Sequence, residues 1–179
     1  MSPPTEFPRV LSELVRTNQA FLNYAAIHAY TLELTLPQLD IILTLGHAFG
    51  MTFKRLGEKT LITKGTLTGI INRMEHKGLV QRIASKTDGR SQIVRLTTAG
   101  QTLFEQAVPE HLDYVNQLFK EYSLEDIATL ESTLLRLRKA IFAAHGDGSE
   151  KPVDEIAGWC TQVKAVCKNY QEGDVVGPC

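Results

Sequence analysis

The sequence predicts a mainly α-helical protein with one small β-hairpin, because helical apolar patterns fill both ends of the chain and two strand-like segments lie between them. The strand-like segments are residues 79–83 and 92–96. From these patterns we predict four parts. They are an N-terminal helix at residues 7–34, a central domain at 36–100, C-terminal helices at 101–145, and a tail at 146–179 that contains one helix.

Charge is unevenly distributed along the 179 residues. The whole chain has a net charge of −1, but residues 53–100 contain ten basic and three acidic side chains and the remainder is acidic. A cationic segment inside an acidic chain is typical of a phosphate-binding surface, although a solvated basic surface is an equally simple interpretation. The basic residues are Lys54, Arg55, Lys59, Lys64, Arg73, Lys77, Arg82, Lys86, Arg90 and Arg95.

Membrane proteins and enzymes are disfavoured by what the sequence lacks. No apolar run reaches the ~18 residues of a membrane span, and residues 1–9 lack the apolar segment of a signal peptide. We therefore expect a cytoplasmic protein with no membrane partner. We also find no Gly-rich phosphate loop, no nucleophile elbow and no close histidine pair for a metal, so we do not expect an enzyme.

The terminal helices carry broad apolar stripes. Pro37 suits the first turn of a second helix, whereas Pro109 should kink or break the helix predicted for residues 97–122. Ser123 and Asp126 resemble a capping box in front of another apolar stripe. These helices could form a bundle within one chain or a dimerisation platform. We favour the platform, and therefore a homodimer.

The central segment has the pattern of a helix-turn-helix. Thr52 can cap a short helix at residues 53–60, and after a tight connection Thr63 can cap a second helix that runs to Lys77. Gly78 is expected to end it in a left-handed conformation. The second helix has one apolar face, which consists of Leu67, Ile70, Ile71 and Met74.

The opposite side of that second helix suits the major groove of DNA. Its N-terminal turn has unpaired backbone N–H groups and a partial positive charge. Lys64 and Thr66 can contact phosphates or base edges there, and Gly65 permits close approach. Further along, Thr68 can contact a base, and Arg73 can reach a backbone phosphate.

A hairpin with a cationic tip follows the second helix. Asp88-Gly89 supplies the turn, and Lys86 and Arg90 lie at the tip, where an arginine can enter the minor groove. We expect Asp88 to support this loop rather than to face phosphate. The predicted fold is therefore mainly α with a small β-wing, that is, a winged helix-turn-helix between N- and C-terminal dimerisation helices.

Three motifs resemble the MarR family of winged-helix regulators. They are "GTLTGIINRMEHKGLVQR", the "DGR" of residues 88–90, and "LTTAG", which ends at Gly100. The resemblance covers about 60 residues, from Leu36 to Gly100. It implies DNA contacts by Lys64, Thr66, Thr68 and Arg90, with Asp88 supporting the wing. Leu61 stands where many helix-turn-helix turns have glycine, and the tail after Gly146 is atypical of the family.

A family resemblance of this kind also implies how the protein works. A homodimer would place two recognition helices about one DNA turn apart on an inverted-repeat operator. A small phenolic or other amphipathic molecule would bind in a crevice between platform and DNA-binding head, with residues that the sequence does not identify. The alternative is a protein–protein adaptor that has lost DNA binding.

The three cysteines lie in the last 20 residues. Cys160, Cys167 and Cys179 could hold a metal or an iron–sulfur cluster, or act as a thiol-based redox sensor. Their spacing matches no common ligand pattern, so cysteines without a function are a third interpretation. A cytosolic setting disfavours structural disulfides.

Overall fold

A computed structural model describes residues 7–46, 48–84 and 92–144 of the chain. This part is mainly helical with one small antiparallel sheet, as the sequence predicts. Its elements are α1 (Phe7–Thr31), α2 (Leu36–Gly46), β1 (Met51–Thr52), α3 (Phe53–Thr60), α4 (Lys64–His76), β2 (Val80–Ala84), β3 (Gln92–Leu96), α5 (Thr98–Asn116) and α6 (Leu124–Ala144), with a 3-10 turn at Gln117–Phe119.

The short helix α2 lies at the centre of the hydrophobic core. The Thr35 N–H donates a hydrogen bond to Gln38 Oε1 at 3.0 Å, and Pro37 occupies the first turn, as predicted. Nearly every later side chain of α2 is buried, so the helix must be covered on all sides. The other buried residues of the same core include Leu56, Leu67, Ile70, Ile71, Met74, Val80, Val94, Phe104 and Ala107.

Three strands form the sheet, in the order β1–β3–β2. The predicted hairpin is confirmed, with Val80 opposite Leu96 and Ala84 opposite Gln92. We did not predict β1, in which Met51 pairs with Val94, because two residues are too few to show an alternating pattern. The connection between β2 and β3, residues 85–91, lies outside the described residues.

The sequence predicts a kink or a break at Pro109, and the break is wrong, because α5 continues through Pro109 to Asn116. Proline cannot donate a hydrogen bond to the carbonyl one turn earlier, at Glu105. Both residues are exposed, so water can satisfy that carbonyl. The helix predicted for residues 97–122 is also too long, because a 3-10 turn replaces the α-helix after Asn116.

The capping box that begins α6 is confirmed. Ser123 N–H donates to Asp126 Oδ2 at 3.0 Å, and Asp126 N–H donates to Ser123 Oγ at 3.1 Å. Hydrogen bonds from the Ser123 side chain and backbone lower the pKa of Asp126. The structure describes all of α6, and none of its residues is buried. Leu124 is 86% exposed and Leu134 48%, so the described residues do not form a single-chain bundle around this stripe.

A close backbone contact joins the sheet to α5. Thr97 N–H donates to the Leu79 carbonyl at 3.1 Å, and the Thr97 hydroxyl accepts from Gly100 N–H at 3.1 Å. A Cβ at Gly100 would lie 2.0 Å from the Leu79 carbonyl oxygen. Thr97 and Gly100 of "LTTAG" therefore both support this junction.

The substitution Gly100→Ala should lower the free energy of unfolding by about 1–3 kcal/mol, because the new methyl group must displace the backbone of Leu79. The matched control is Gly65→Ala, where the new Cβ meets nothing within 4 Å. This control should raise the free energy of unfolding by about 0.5–1 kcal/mol through helix propensity. Urea denaturation measures both, and equal stability of the two variants would contradict the close contact.

Candidate nucleic-acid interface

The helix α4 buries one face and exposes the other, as the sequence predicts. Leu67, Ile70, Ile71 and Met74 are buried in the core. The polar residues of the opposite side are exposed, so this surface is accessible to a partner. They are Lys64, Thr66, Thr68, Asn72, Arg73 and His76.

Threonines precede both helices of the helix-turn-helix, but only one of them caps through its side chain. Thr52 accepts a hydrogen bond from Arg55 N–H at 3.3 Å. Thr63 is the N-cap residue of α4, yet its side chain makes no capping bond, and its hydroxyl donates instead to Thr66 Oγ1 at 3.0 Å. The predicted position of Thr63 is confirmed and its capping bond is wrong. The first turn of α4 therefore keeps N–H groups that Thr63 does not cap.

The turn between α3 and α4 adopts an unfavourable backbone conformation. Leu61 has φ of 56°, in the left-handed region, and its side chain is 72% exposed. Glycine would adopt this conformation without a steric cost. Leucine at this position therefore leaves the turn strained.

The C-terminal end of α4 is capped by Gly78, as predicted. Gly78 has φ of 71°, and its N–H donates to the Glu75 carbonyl at 2.8 Å. Leu79 N–H donates to the Met74 carbonyl at 3.0 Å, which completes a Schellman motif. The motif turns the chain from α4 directly into β2.

Arg82 fastens the hairpin to the helix-turn-helix. Its guanidinium hydrogen-bonds Asn72 Oδ1, lies 3.3 Å from Glu75 Oε2, and stands 5.3 Å from the centre of the Phe53 ring. Lys77 is also engaged within the chain, since its Nζ donates to the Glu33 carbonyl at 2.7 Å. Two of the ten basic residues counted in the sequence therefore hold the fold together.

An open groove of about 1080 Å³ runs between α3, α4 and the hairpin. Lys64 and Thr68 line it, together with Lys54, which sequence reasoning did not single out. Its position in the first turn of the first helix is the signal that could have identified Lys54. Thr66 and Arg73 are exposed on α4 but do not line the groove. The wing residues Lys86, Asp88 and Arg90 lie outside the described residues.

A second, smaller cavity of about 280 Å³ lies between α1, α2, α5 and the turn after α3. Its lining is mostly apolar, with Asp40 and His111 as its ionisable members. Ile62 lines both this cavity and the groove. The cavity therefore adjoins the connection that leads into α4.

Asp40 is the least compensated polar group in the cavity wall. Burial raises the pKa of its carboxyl to about 7. Among the described residues, neither Asp40 Oδ1 nor Thr44 Oγ1 has a hydrogen-bond partner. Sequence reasoning missed Asp40, although a lone acid inside the apolar stretch of α2 is a recognisable signal.

His111 is part of a buried pair rather than an isolated ligand. Its Nδ1 lies 3.2 Å from Nδ1 of His28, which joins α5 to α1. Burial, and then the neighbouring His28, lower the pKa of His111 to about 4, and burial also lowers the pKa of His28. Both rings are therefore neutral near pH 7. His28 and His111 are therefore packed residues of the interior.

Neither a metal site nor a membrane span is found in the part of the chain that the structure describes. Within the residues described, no cluster of three His, Cys, Asp or Glu side chains could hold a metal. Cys160, Cys167 and Cys179 lie outside those residues, so the predicted cluster or redox site stays a prediction. In the same part of the chain, no helix has the length and apolar character to cross a membrane.

Comparison with known proteins identifies the family. A sequence model described as "MarR family" matches residues 32–91. The organic hydroperoxide resistance transcriptional regulator of Bacillus subtilis (strain 168) is 36% identical over 110 residues, which cover 62% of this chain and 74% of that protein. This relative is a transcriptional regulator.

Two solved structures share the fold. A mutant of MarR from E. coli complexed with operator DNA superposes with a TM-score of 0.66 at 26% identity, and covers 76% of this chain and 99% of the other. NadR in complex with 4-hydroxyphenylacetate has a TM-score of 0.61 at 24% identity, and covers 76% and 97%. The accessible helix α4, the hairpin that Arg82 holds against it and these similarities lead to one conclusion: the chain belongs to the MarR family of transcription regulators.

Proposed function

We propose that the protein is a homodimer that binds an inverted-repeat DNA operator and changes its affinity when a small molecule enters the 280 Å³ cavity. The observation that carries this proposal is the polar, accessible side of α4, which faces an open groove through Lys64 and Thr68. The MarR structure complexed with operator DNA supports DNA as the partner.

Contacts to DNA would begin at the first turn of α4. Backbone N–H groups and the helix dipole favour phosphate there, and Lys64 adds a full charge. The Thr68 hydroxyl donates to the Lys64 carbonyl at 3.0 Å, which leaves the Thr68 methyl group for a thymine methyl. Thr66 would contact base edges and Arg73 a phosphate. The contacts of Lys86 and Arg90 stay predictions from the sequence, with Asp88 supporting the loop.

Dimerisation would use the outer helices. Apolar side chains of α1 and α6 are exposed in the single chain, among them Val15, Ile27 and Leu134. Exposed apolar stripes of this extent are typical of subunit interfaces. A two-fold axis through these helices would place the two copies of α4 in successive major grooves, ~34 Å apart.

Coupling between ligand and DNA would pass through the turn before α4. Leu61 and Ile62 line the small cavity, and Lys64 begins α4 two residues after Ile62. A molecule that pushes on this strained turn would therefore tilt or shift the start of the recognition helix. NadR, which binds 4-hydroxyphenylacetate, shows that a protein of this fold accepts a small aromatic molecule.

The substitution Lys64→Ala should weaken binding to the promoter beside the protein's own gene and reduce the salt slope of log affinity by about one, because one phosphate contact is lost. Fluorescence anisotropy at several salt concentrations measures both quantities. Lys120→Ala is the control, since Lys120 is exposed between the 3-10 turn and α6. Weak binding by the unmodified protein, insensitive to salt, would favour the adaptor alternative.

Footprinting on the same promoter should show two protected half-sites related by inverted symmetry, with centres about 10 base pairs or a multiple of that apart. The spacing follows from two recognition helices that enter the same side of the duplex. Protection of a single half-site, or of directly repeated sites, would contradict the two-fold arrangement.

The substitution Leu134→Glu should convert the dimer to a monomer, because it places a charge within the apolar stripe of α6. Sedimentation equilibrium measures the change, and we expect at least a tenfold rise in the dissociation constant, equal to about 1.4 kcal/mol. Ser132→Glu is the matched control, since Ser132 lies two residues away on the same exposed helix and therefore points to its other side. Equal dimerisation by both variants would remove α6 from the interface.

A further inference from the structure

The helix α6 carries two apolar rows on adjacent sides. The first row consists of Ile127, Leu130, Leu134, Leu137 and Ile141, and the second row consists of Leu124, Ala128, Leu135 and Phe142. We infer that residues 153–170 fold back as a helix and cover the second row in their own subunit. This segment lies outside the described residues, and its helix is a prediction from the sequence. The inference goes beyond the proposed function, and it leaves the first row for the second copy.

The apolar surface of α6 is wider than one neighbouring helix covers. None of its residues is buried in the single chain, and in the second row Leu124 is 86% exposed and Leu135 39%. At about 100° per residue, the two rows together span about half of the helix circumference. A stripe of about 100° is enough to pack against one core. The helix therefore has room for the partner subunit on one row and for a second neighbour on the other.

The sequence of residues 153–170 supplies a matching apolar side. Small and medium apolar residues recur there at helical spacing. They are Val153, Ile156, Ala157, Cys160, Val163 and Cys167. A helix of this length is marginal in water by itself, because most helical stability in proteins comes from packing of the apolar side. This segment therefore needs an apolar surface, and α6 has one.

The lengths of the row, the segment and the connection agree. At 1.5 Å per residue the second row spans ~27 Å and the segment ~26 Å, so the segment can cover the whole row. The eight residues from 145 to 152 connect Ala144 to Val153 and contain two glycines and a proline, which favour a turn. Connections of 2–8 residues are typical of neighbouring helices in bundles. A short connection of this kind gives an antiparallel pair.

The charges of the two helices favour the same antiparallel arrangement. The segment begins with Asp154 and Glu155 and continues with Lys164 and Lys168. The first half of α6 contains Glu125, Asp126 and Glu131, and its second half contains basic residues such as Arg136 and Lys139. Antiparallel packing brings opposite charges together at both ends, whereas parallel packing would bring like charges together. Complementary charges of this kind fix the register and orientation of a contact.

One register matches both the apolar and the charged positions. With Val153 beside Phe142, Cys160 lies beside Leu135, and Lys164 lies beside Glu131. Glu131 is the acid closest to the second row, and Lys164 is a base at the edge of the apolar side of the segment. The pair therefore lies at the border of the proposed contact, where both side chains reach water.

The inference assigns a packing role to two of the three cysteines. Cys160 and Cys167 lie seven residues apart on the covered side of the segment, where a free cysteine behaves as a small apolar residue. Cys179 lies nine residues beyond the segment. Because alkylation requires an accessible thiolate, Cys160 and Cys167 should be protected and Cys179 should react freely.

Alkylation of the reduced full chain by iodoacetamide, followed by mass spectrometry of each cysteine, tests this assignment. Each rate is divided by the rate of the same thiol in urea, so that differences in intrinsic reactivity cancel. We expect Cys160 and Cys167 to react at least about tenfold more slowly than Cys179, with and without EDTA. Equal rates at all three cysteines would overturn the inference. Protection that EDTA abolishes would also overturn it, because a metal would then shield the thiols.

The substitution Leu135→Glu should raise the rates of Cys160 and Cys167 about tenfold, because it places a charge in the second row. Sedimentation equilibrium should still show a dimer. Thr129→Glu is the matched control, since Thr129 is exposed on α6 but lies on neither row. Protection that survives in a folded Leu135→Glu variant would refute the contact. Dissociation as strong as that of Leu134→Glu would assign the second row to the subunit interface and also refute it.

A charge exchange tests the antiparallel register. Lys164→Glu should raise the relative rate of Cys160 about twofold, since exposed ion pairs contribute little, and the added substitution Glu131→Lys should restore the protection. A double variant that is less protected than Lys164→Glu alone would contradict the register.

The Leu134→Glu variant separates this inference from the proposed function. Persistent protection of Cys160 and Cys167 in its monomer would support docking within one subunit. Loss of protection in a folded monomer would show that the second copy holds the segment, and it would overturn the inference while supporting the proposed dimer. A Leu134→Glu protein that stays dimeric and protected would contradict the proposed interface and support the inference.

Discussion

The burial of α2 on all sides is the constraint on which the rest of the structure depends. This helix contacts the outer helices α1 and α5, the helix-turn-helix elements α3 and α4, and the strand β3. An eleven-residue helix with a buried run from Leu39 to Leu45, except for the half-buried Asp40, fixes the positions of all these elements at once. Because packed interiors resist gradual deformation, a change at one face of α2 is transmitted to its other faces. A carboxyl group in this helix, such as that of Asp40, therefore affects the packing of more elements than the same group on an outer helix would.

The small cavity lies against α2, so the packing of this helix bears on the proposed response to a ligand. The cavity has α2 as one wall and the Leu61–Ile62 turn as another. A left-handed leucine costs roughly 1–2 kcal/mol, which is comparable to the free energy that one good ligand contact supplies. Under the proposed function, a bound small molecule would supply enough free energy to shift the preferred conformation of the turn. The recognition helix begins immediately after this turn, so its first turn would change position first.

The parts of the fold that the sequence predicted well depend on local chemistry. The buried face of α4, the left-handed Gly78 and the capping box at Ser123 each follow from residues within one or two turns of one another. The features that were missed depend on distant residues. Pro109 is tolerated because its helix is exposed there, and the two residues of β1 are a strand only because β3 lies beside them. The cavity around Asp40 is built from four separate segments, and no local pattern contains it.

Charge illustrates the same distinction at the candidate DNA surface. In the sequence, Arg82 and Lys77 look like the other cations. In the structure, Arg82 holds the hairpin against α4, and Lys77 joins α4 to the turn before α2. In the proposed DNA complex they would therefore position other groups, and their removal should disturb the packing of the hairpin and of α4 before it changes the number of phosphate contacts. Lys64, which lines the groove, adds charge where the helix dipole already favours phosphate. Under the proposed function, affinity would depend on cations such as Lys64, whereas discrimination between operators would depend on short side chains such as Thr68, which would reach only the bases directly in front of them.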